Sequence, residues 1–261
     1  MLFYLISIDC ESTGLSVYHD QIVELGAVLS LWDSVTLQWT GLPSFSRYAR
    51  PTQKTMCGKA SEITGITMAS LQDQPTIQQV LEDFYHHLEE HCPDTNISRL
   101  LLSYNGFAYD LPLLVNEIER YGGSAITYFR TLKIQHTIDL LPFGRTCLDT
   151  SLLKRKATGS CSYKLGDVYL SVCLCPLANA HGALADSQAV LDILQCMEVQ
   201  RPFQALVAQL PENGLCKNPM TLVRTILTRR ALFHNKPSKG QSKRVGDMFQ
   251  SHHQKKAKRN Q

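Results

Sequence analysis

The chain has 261 residues, 44% of them apolar, enough to bury a sizeable core in one large domain or in one domain with extensions. Its nine cysteines are odd in number, scattered and never spaced C-x-x-C, which argues against a disulfide framework or a structural zinc site and for a reducing compartment. The net charge of +3 hides an asymmetry: from residue 235 onward eight Lys or Arg face Asp247 alone, so this tail carries +7 and the preceding 234 residues −4. An acidic body with a basic tail argues against wholesale coating of a polyanion and for contact that is local or cation-mediated.

In chain order, the opening MLFYLISID reaches Asp9 after eight residues and lacks a basic leader, so neither a membrane span nor a signal peptide is expected. Residues 2–9 and 21–31 are short apolar runs separated by the turn-rich STGLSVYHD and read as strands, with 39–48 as a third. Thr76 is the expected N-cap of a helix whose Ile77, Val80, Leu81, Phe84 and Leu88 recur at helical spacing. His86, His87 and His91 fall on its polar face, where solvation is expected. Residues 100–104 read as a buried strand, followed by a helix that starts near Asp110, has Pro112 in its first turn and stops at Gly122 and Gly123. A strand is expected near 134–140, short helices between 148 and 172, a strong helix over 183–197, and a last helix that starts after the Asn218-Pro219 stop and reaches Phe233. Beyond Asn235 apolar residues nearly vanish, and disorder is expected. No internal repeat is evident. The division is a main domain over 1–200, its helical extension over 201–234 and a basic tail over 235–261, with a mixed α/β architecture.

Three acidic motifs and one histidine stand out. Asp9 and Glu11, in IDCESTGL, end the first strand, where residues two apart point to one face and two carboxylates repel unless a cation lies between them. Taken alone, D-x-E is also what any exposed strand end can show. Asp110, in SYNGFAYDLPLL, follows a buried strand and opens a helix, a position where capping is the commonest use of Asp. His181 and Asp186, in AHGALADSQAVLDIL, fit a loop histidine swinging toward a site that the helix aspartate also approaches. Each motif by itself has an ordinary structural explanation; the three in order do not.

D-x-E on the first strand, N-x-x-x-[YF]-D before a helix and H-x-x-x-x-D opening a late helix resemble the DEDDh exonucleases. The segment YARPTQKTMCGKASEITGIT is similar to that family's stretch after the third strand. YNGFAYDLPLL and SYKLGDVYLSVCLCPLANAHGALADSQAVLDIL look most like the three-prime repair exonuclease branch. The resemblance covers about residues 3–200. The Pro-rich loop and hydrophobic C-terminal anchor of the vertebrate members are not evident, and what depends on them is not carried over.

The resemblance implies a ribonuclease H-like fold, a mixed five-stranded sheet flanked by helices with the second strand antiparallel. It implies metal-dependent 3′→5′ hydrolysis of DNA, from single strands or frayed duplex ends, releasing 5′-mononucleotides. Two Mg²⁺, for which Mn²⁺ can substitute, would lie roughly 4 Å apart. Asp9 would bridge both ions, Glu11 and Asp186 would complete the first, Asp110 would reach the second, and His181 would deprotonate the attacking water. Thr13 would contribute backbone contacts to the terminal nucleotide and Leu15 would wedge under its base, against the ordinary reading of a turn with one core leucine. Asn105 is a further candidate for positioning substrate. Lys154, Arg155 and Lys156 form the dense basic run of the body, either a solvated loop or a phosphate contact. A 3′→5′ exoribonuclease of the same class and a nonenzymatic clamp- or DNA-binding adaptor are the rival readings.

In the tail, Lys243 and Arg244, ten residues, then Lys255, Lys256, Lys258 and Arg259 match a bipartite nuclear import signal, with an importin-type receptor as partner and nuclear residence favoured over cytoplasmic. A generic polyanion-binding tail is the alternative. Residues 242–249 faintly resemble a sliding-clamp-binding peptide. A homodimer is kept as a candidate assembly.

Overall fold

In the computed structural model the described residues are 1–210 and 216–234. The chain divides into two units, Met1–Ile226 and Leu227–Gln261. Of the second, the described part is the end of the last helix, up to His234. The tail clusters Lys243, Arg244, Lys255, Lys256, Lys258 and Arg259, and the stretch 242–249, lie outside the described residues. Among the described residues no helix is long and apolar enough to cross a membrane. All nine cysteines are free thiols.

The chain opens with a long antiparallel pair, β1 (Leu2–Ser12) and β2 (Ile22–Asp33), in which Asp9 faces Gly26 and Glu11 faces Glu24. Short strands β3 (Trp39–Gly41) and β4 (Phe45–Tyr48) both pair with β2. Helices α1 (Gly58–Thr64), α2 (Met68–Leu71) and α3 (Ile77–His91) follow. Thr76 caps α3 in a reciprocal box with Gln79, a device that contributes about 1 kcal/mol. Strand β5 (Ser98–Ser103) lies parallel to β1 and leads into α4 (Asp110–Arg120) and α5 (Ala125–Thr131). Strand β6 (Ile134–Asp139), parallel to β5, passes into α6 (Leu140–Cys147). Helices α7 (Leu165–Cys173), α8 (Ala183–Gln195) and α9 (Met197–Ala208), strand β7 (Cys216–Lys217) and α10 (Pro219–His234) complete the order.

The sheet order is β3-β2-β1-β5-β6-β7, with β4 also on β2. It is a mixed sheet flanked by helices with an antiparallel second strand, as expected, but among the described residues it has seven strands rather than five. The expected strand 39–48 is broken around Pro43, which cannot donate to a ladder, so two pieces pair with β2. β7 pairs with the end of β6 and is too short to carry a periodic pattern. The span 148–164 is not helical: it folds into a loop closed by pairing of Arg155 with Cys161. α9 forms despite Pro202 because its Val199, Phe203, Leu206 and Val207 are buried in the main core, Phe203 lying 5.2 Å from Trp32 and 6.1 Å from Phe143. Burial of such side chains contributes about 1.5–3 kcal/mol each. His87 and His91 depart from the solvated reading. His87 Nε2 lies 2.9 Å from the Pro43 carbonyl, its ring packs on Phe45, and His91 meets it edge-on.

Candidate active site

Strand alternation puts Ile8 and Cys10 into the core and leaves Asp9 and Glu11, two residues apart, half-buried on the opposite face of β1. Gly26, opposite Asp9, carries no side chain, and a Cβ there would sit 2.4 Å from the Ala183 carbonyl carbon. α8 therefore rests directly on β2, and Ser187 Oγ donates to the Gly26 carbonyl at 3.2 Å. Asp186 lies in the first turn of α8, and this close approach brings it over β1. Ligand atoms of Asp9, Glu11 and Asp186 all lie within 4.8 Å of one another. Asp110 joins them from α4, with Oδ1 accepting the Cys10 N–H at 3.1 Å. It is not the helix cap, since that position is Tyr109.

The loop before Asp110 is held by Asp139 at the end of β6. Its Oδ1 accepts the N–H groups of Asn105 (2.8 Å) and Leu141 (3.0 Å), and its Oδ2 that of Phe107 (3.1 Å). Asn105 takes a left-handed backbone, φ 62°, with its side chain exposed. A Cβ on the next residue, Gly106, would lie 2.1 Å from Ser103 Oγ.

A cavity of about 270 Å³ lies beside Glu11, lined by Leu15, Ile63, Tyr109 and His181 among others. Leu15 is 85% exposed and is not a core leucine. His181 sits on the cavity's rim with a left-handed backbone, φ 69°. Thr13 closes the turn between the first two strands: its N–H donates to the Gln21 carbonyl, its carbonyl accepts from the Cys57 N–H, and its hydroxyl bridges Asp20 and Gln21. Tyr109 OH donates to the Gly14 carbonyl at 2.6 Å and fastens the second motif to the first. In the basic run, Lys154 pairs with Asp167 at 2.7 Å and Arg155 bonds carbonyls of its own loop, so two of the three cations hold that loop in shape.

Burial, with the charges of Asp110, Asp186, Glu11 and Glu24, holds the Asp9 carboxyl well above the usual carboxylate range. Burial pushes Glu11 up to about 8, with Asp186 and then Glu24 adding to it. Asp110 rises to about 7 through burial, opposed by the Cys10 N–H. Burial also raises Asp186, against the His181 N–H and charge. Four crowded carboxyls that favour their protonated forms fit a divalent cation, which would relieve the repulsion. The donor set is all carboxylate oxygen, suited to hard cations such as Mg²⁺ or Mn²⁺. Asp186 Oδ1 is buried with no hydrogen-bond partner, as expected of an oxygen reserved for a cation.

The sequence reading missed Asp139, Ile63 and Glu24. The signal for Glu24 was a lone charge inside the apolar run QIVELGAV. The carboxylate is buried and faces Glu11 across the ladder.

A family model described as an exonuclease, RNase_T, matches residues 6–194. Among curated proteins, the chain is similar to the PolC-type DNA polymerase III of Thermotoga maritima, 26% identical over 188 residues that make 72% of this chain and 11% of that protein. The Clostridium perfringens PolC-type polymerase is 28% identical over 187 residues, with the same shares. The chain thus spans about a tenth of the length of these relatives. Among solved structures it resembles E. coli exonuclease I in complex with a dT13 oligonucleotide, with a TM-score of 0.62 at 18% identity over 78% of this chain and 43% of that one. Product-bound exonuclease I gives a TM-score of 0.62 at 16% identity, covering 79% of this chain and 46% of that one. These likenesses establish the ribonuclease H-like exonuclease fold.

Proposed function

The chain belongs to the RNase_T exonuclease family, and on that premise we propose that it is a 3′→5′ exodeoxyribonuclease releasing 5′-mononucleotides from DNA 3′ ends with Mg²⁺ or Mn²⁺. The observation that carries the proposal is the convergence of Asp9, Glu11 and Asp186 within 4.8 Å beside a cavity with exposed Leu15 on its wall and His181 on its rim. Two cations held by these carboxylates and Asp110 would activate water, neutralise phosphate charge and stabilise the departing 3′ oxygen.

The chain's own residues supply the rest. A ring nitrogen of His181 accepts the proton of the attacking water. Leu15 and Ile63 offer apolar contact to a terminal base without reading its hydrogen-bonding edge, which suits removal of successive nucleotides of any sequence. Asn105, exposed on the loop before Asp110, is the candidate for positioning the substrate backbone. The oligonucleotide held by the fold neighbour supports single-stranded DNA as the substrate form. For the tail, the two basic clusters support a nuclear address on sequence alone.

The test compares end-labelled single-stranded DNA, duplex DNA and RNA of one sequence with Mg²⁺. A 5′-labelled DNA strand should give a descending ladder, and a blocked 3′ end should resist. Immediate release of the 5′ label as a mononucleotide would overturn the polarity. Turnover confined to RNA would replace the assignment by an exoribonuclease, and turnover of none would favour the adaptor.

A further inference from the structure

Helix α8 carries Asp186, and the residue that starts it, Gly182, has no side chain to cap it. The cap comes from another strand: Glu24 Oε2 accepts the N–H of Ala183, the first residue of α8, at 3.2 Å across 159 positions of sequence. Glu24 is 6% exposed, and its Oε1 lies 3.5 Å from the Ser46 hydroxyl. It stands outside the Asp9, Glu11 and Asp186 cluster, although it faces Glu11 across the ladder. A further buried carboxylate beside the four of the site is electrostatically unfavourable, and the positive end of a helix offsets part of that. Gly182 has an ordinary extended backbone (φ −115°, ψ 129°), and a Cβ there would meet its nearest neighbour at 3.5 Å. A local serine cap would therefore fit. What such a cap could not do is tie the helix start to the strand opposite Glu11.

We propose that Glu24 is a positioning residue for the cleavage reaction, tethering the first turn of α8 to β2 so that Asp186 and His181 keep register with Asp9 and Glu11. The chain of contact is short. Ala183 is two residues after His181, which lines the cavity and has a left-handed backbone, and three before Asp186. Gly26, two residues along β2, gives the close approach, and Glu24 fixes where along the strand the helix begins. The proposal rests on the nuclease reading of the site, and the test separates the two.

The full chain is compared as wild type, Glu24→Ala, Glu24→Gln, Gly182→Ser and the double variant Glu24→Ala with Gly182→Ser. Steady-state turnover, Mn²⁺ binding by calorimetry and thermal stability are measured for each. Loss of a group that orients metal ligands typically lowers activity or metal affinity about 10–100-fold. Glu24→Ala should lower kcat by that factor, leave KM within about threefold and weaken Mn²⁺ binding about tenfold. Glu24→Gln keeps an acceptor for the Ala183 N–H and should recover most of both. The double variant should regain thermal stability without regaining turnover or Mn²⁺ affinity, which a purely local capping role would not produce. Wild-type kcat and Mn²⁺ affinity in Glu24→Ala would overturn the proposal. So would restoration of turnover by the serine cap, or a Glu24→Gln variant as impaired as Glu24→Ala. A wild-type protein that cleaves nothing would overturn the nuclease reading instead, and the Mn²⁺ data would still decide whether Glu24 sets the geometry of the cluster.

Discussion

Replacing Asp9 by Asn should make the metal-free protein more stable while removing its activity. Carboxylate oxygens within 4.8 Å repel by roughly 3 kcal/mol per ionised pair at an effective dielectric constant near 20. The site avoids part of this by holding protons, since Glu11 titrates at about 8 and Asp110 at about 7. The realised gain from neutralising Asp9 at pH 8 is therefore on the order of 1–3 kcal/mol, or roughly 2–10 °C in Tm for a chain of this size. The sign follows from linkage. Carboxyls whose folded pKa is raised add stability that is fully present below their unfolded pKa near 4 and is lost as pH rises through 7 to 8. In chelator, the Tm of the wild type should fall between pH 5 and pH 8.5, and the advantage of Asp9→Asn should grow over the same window. Saturating Mg²⁺ or Mn²⁺ should raise the wild type more than the variant and reverse their order. Differential scanning calorimetry across that pH range with chelator or metal is the assay. A variant no more stable than wild type at pH 8 in chelator would refute the crowded-carboxylate argument.

Asp186→Asn should lose at least about a thousandfold in kcat, equivalent to about 4 kcal/mol of transition-state stabilisation, as read by single-turnover cleavage. His181→Ala should lose about 10²–10⁴-fold with unchanged Mn²⁺ affinity by calorimetry, and a collapse of metal binding would make it a ligand instead. Asp139→Ala leaves the N–H groups of Asn105, Phe107 and Leu141 without their acceptor and should lower stability by about 2–4 kcal/mol in denaturant melts, with Asp139→Asn in between. Deleting residues 235–261 should leave Tm and cleavage of short oligonucleotides nearly unchanged. Replacing Lys255, Lys256, Lys258 and Arg259 with Ala should lower steady-state nuclear enrichment against a size-matched tagged control, and unchanged enrichment would leave the tail as a polyanion- or clamp-binding extension.

The placement of the acidic residues was legible in the chain because it follows local rules, while the chemistry proposed for them came from their order and its resemblance to a family. Asp9 and Glu11 are two apart on a strand and must share a face, Asp110 opens a helix after a buried strand, and Asp186 sits in the first turn of an amphipathic helix. The core of α3 and its Thr76 cap were readable from a 3.6-residue period in the same way. What spacing does not encode is which faces meet. Glu24 reaches Ala183 across 159 residues, Gly26 matters because α8 lies against it, and Asp139 acts on a loop more than thirty residues upstream. Leu15 and Thr13 share one turn, yet the fold exposes the first at the cavity and buries the second in hydrogen bonds to Asp20 and Gln21. Period and capping are properties of a few adjacent residues, whereas burial, partner choice and the raised carboxyl pKa values belong to elements brought together from opposite ends of the chain, and these the tertiary structure decided.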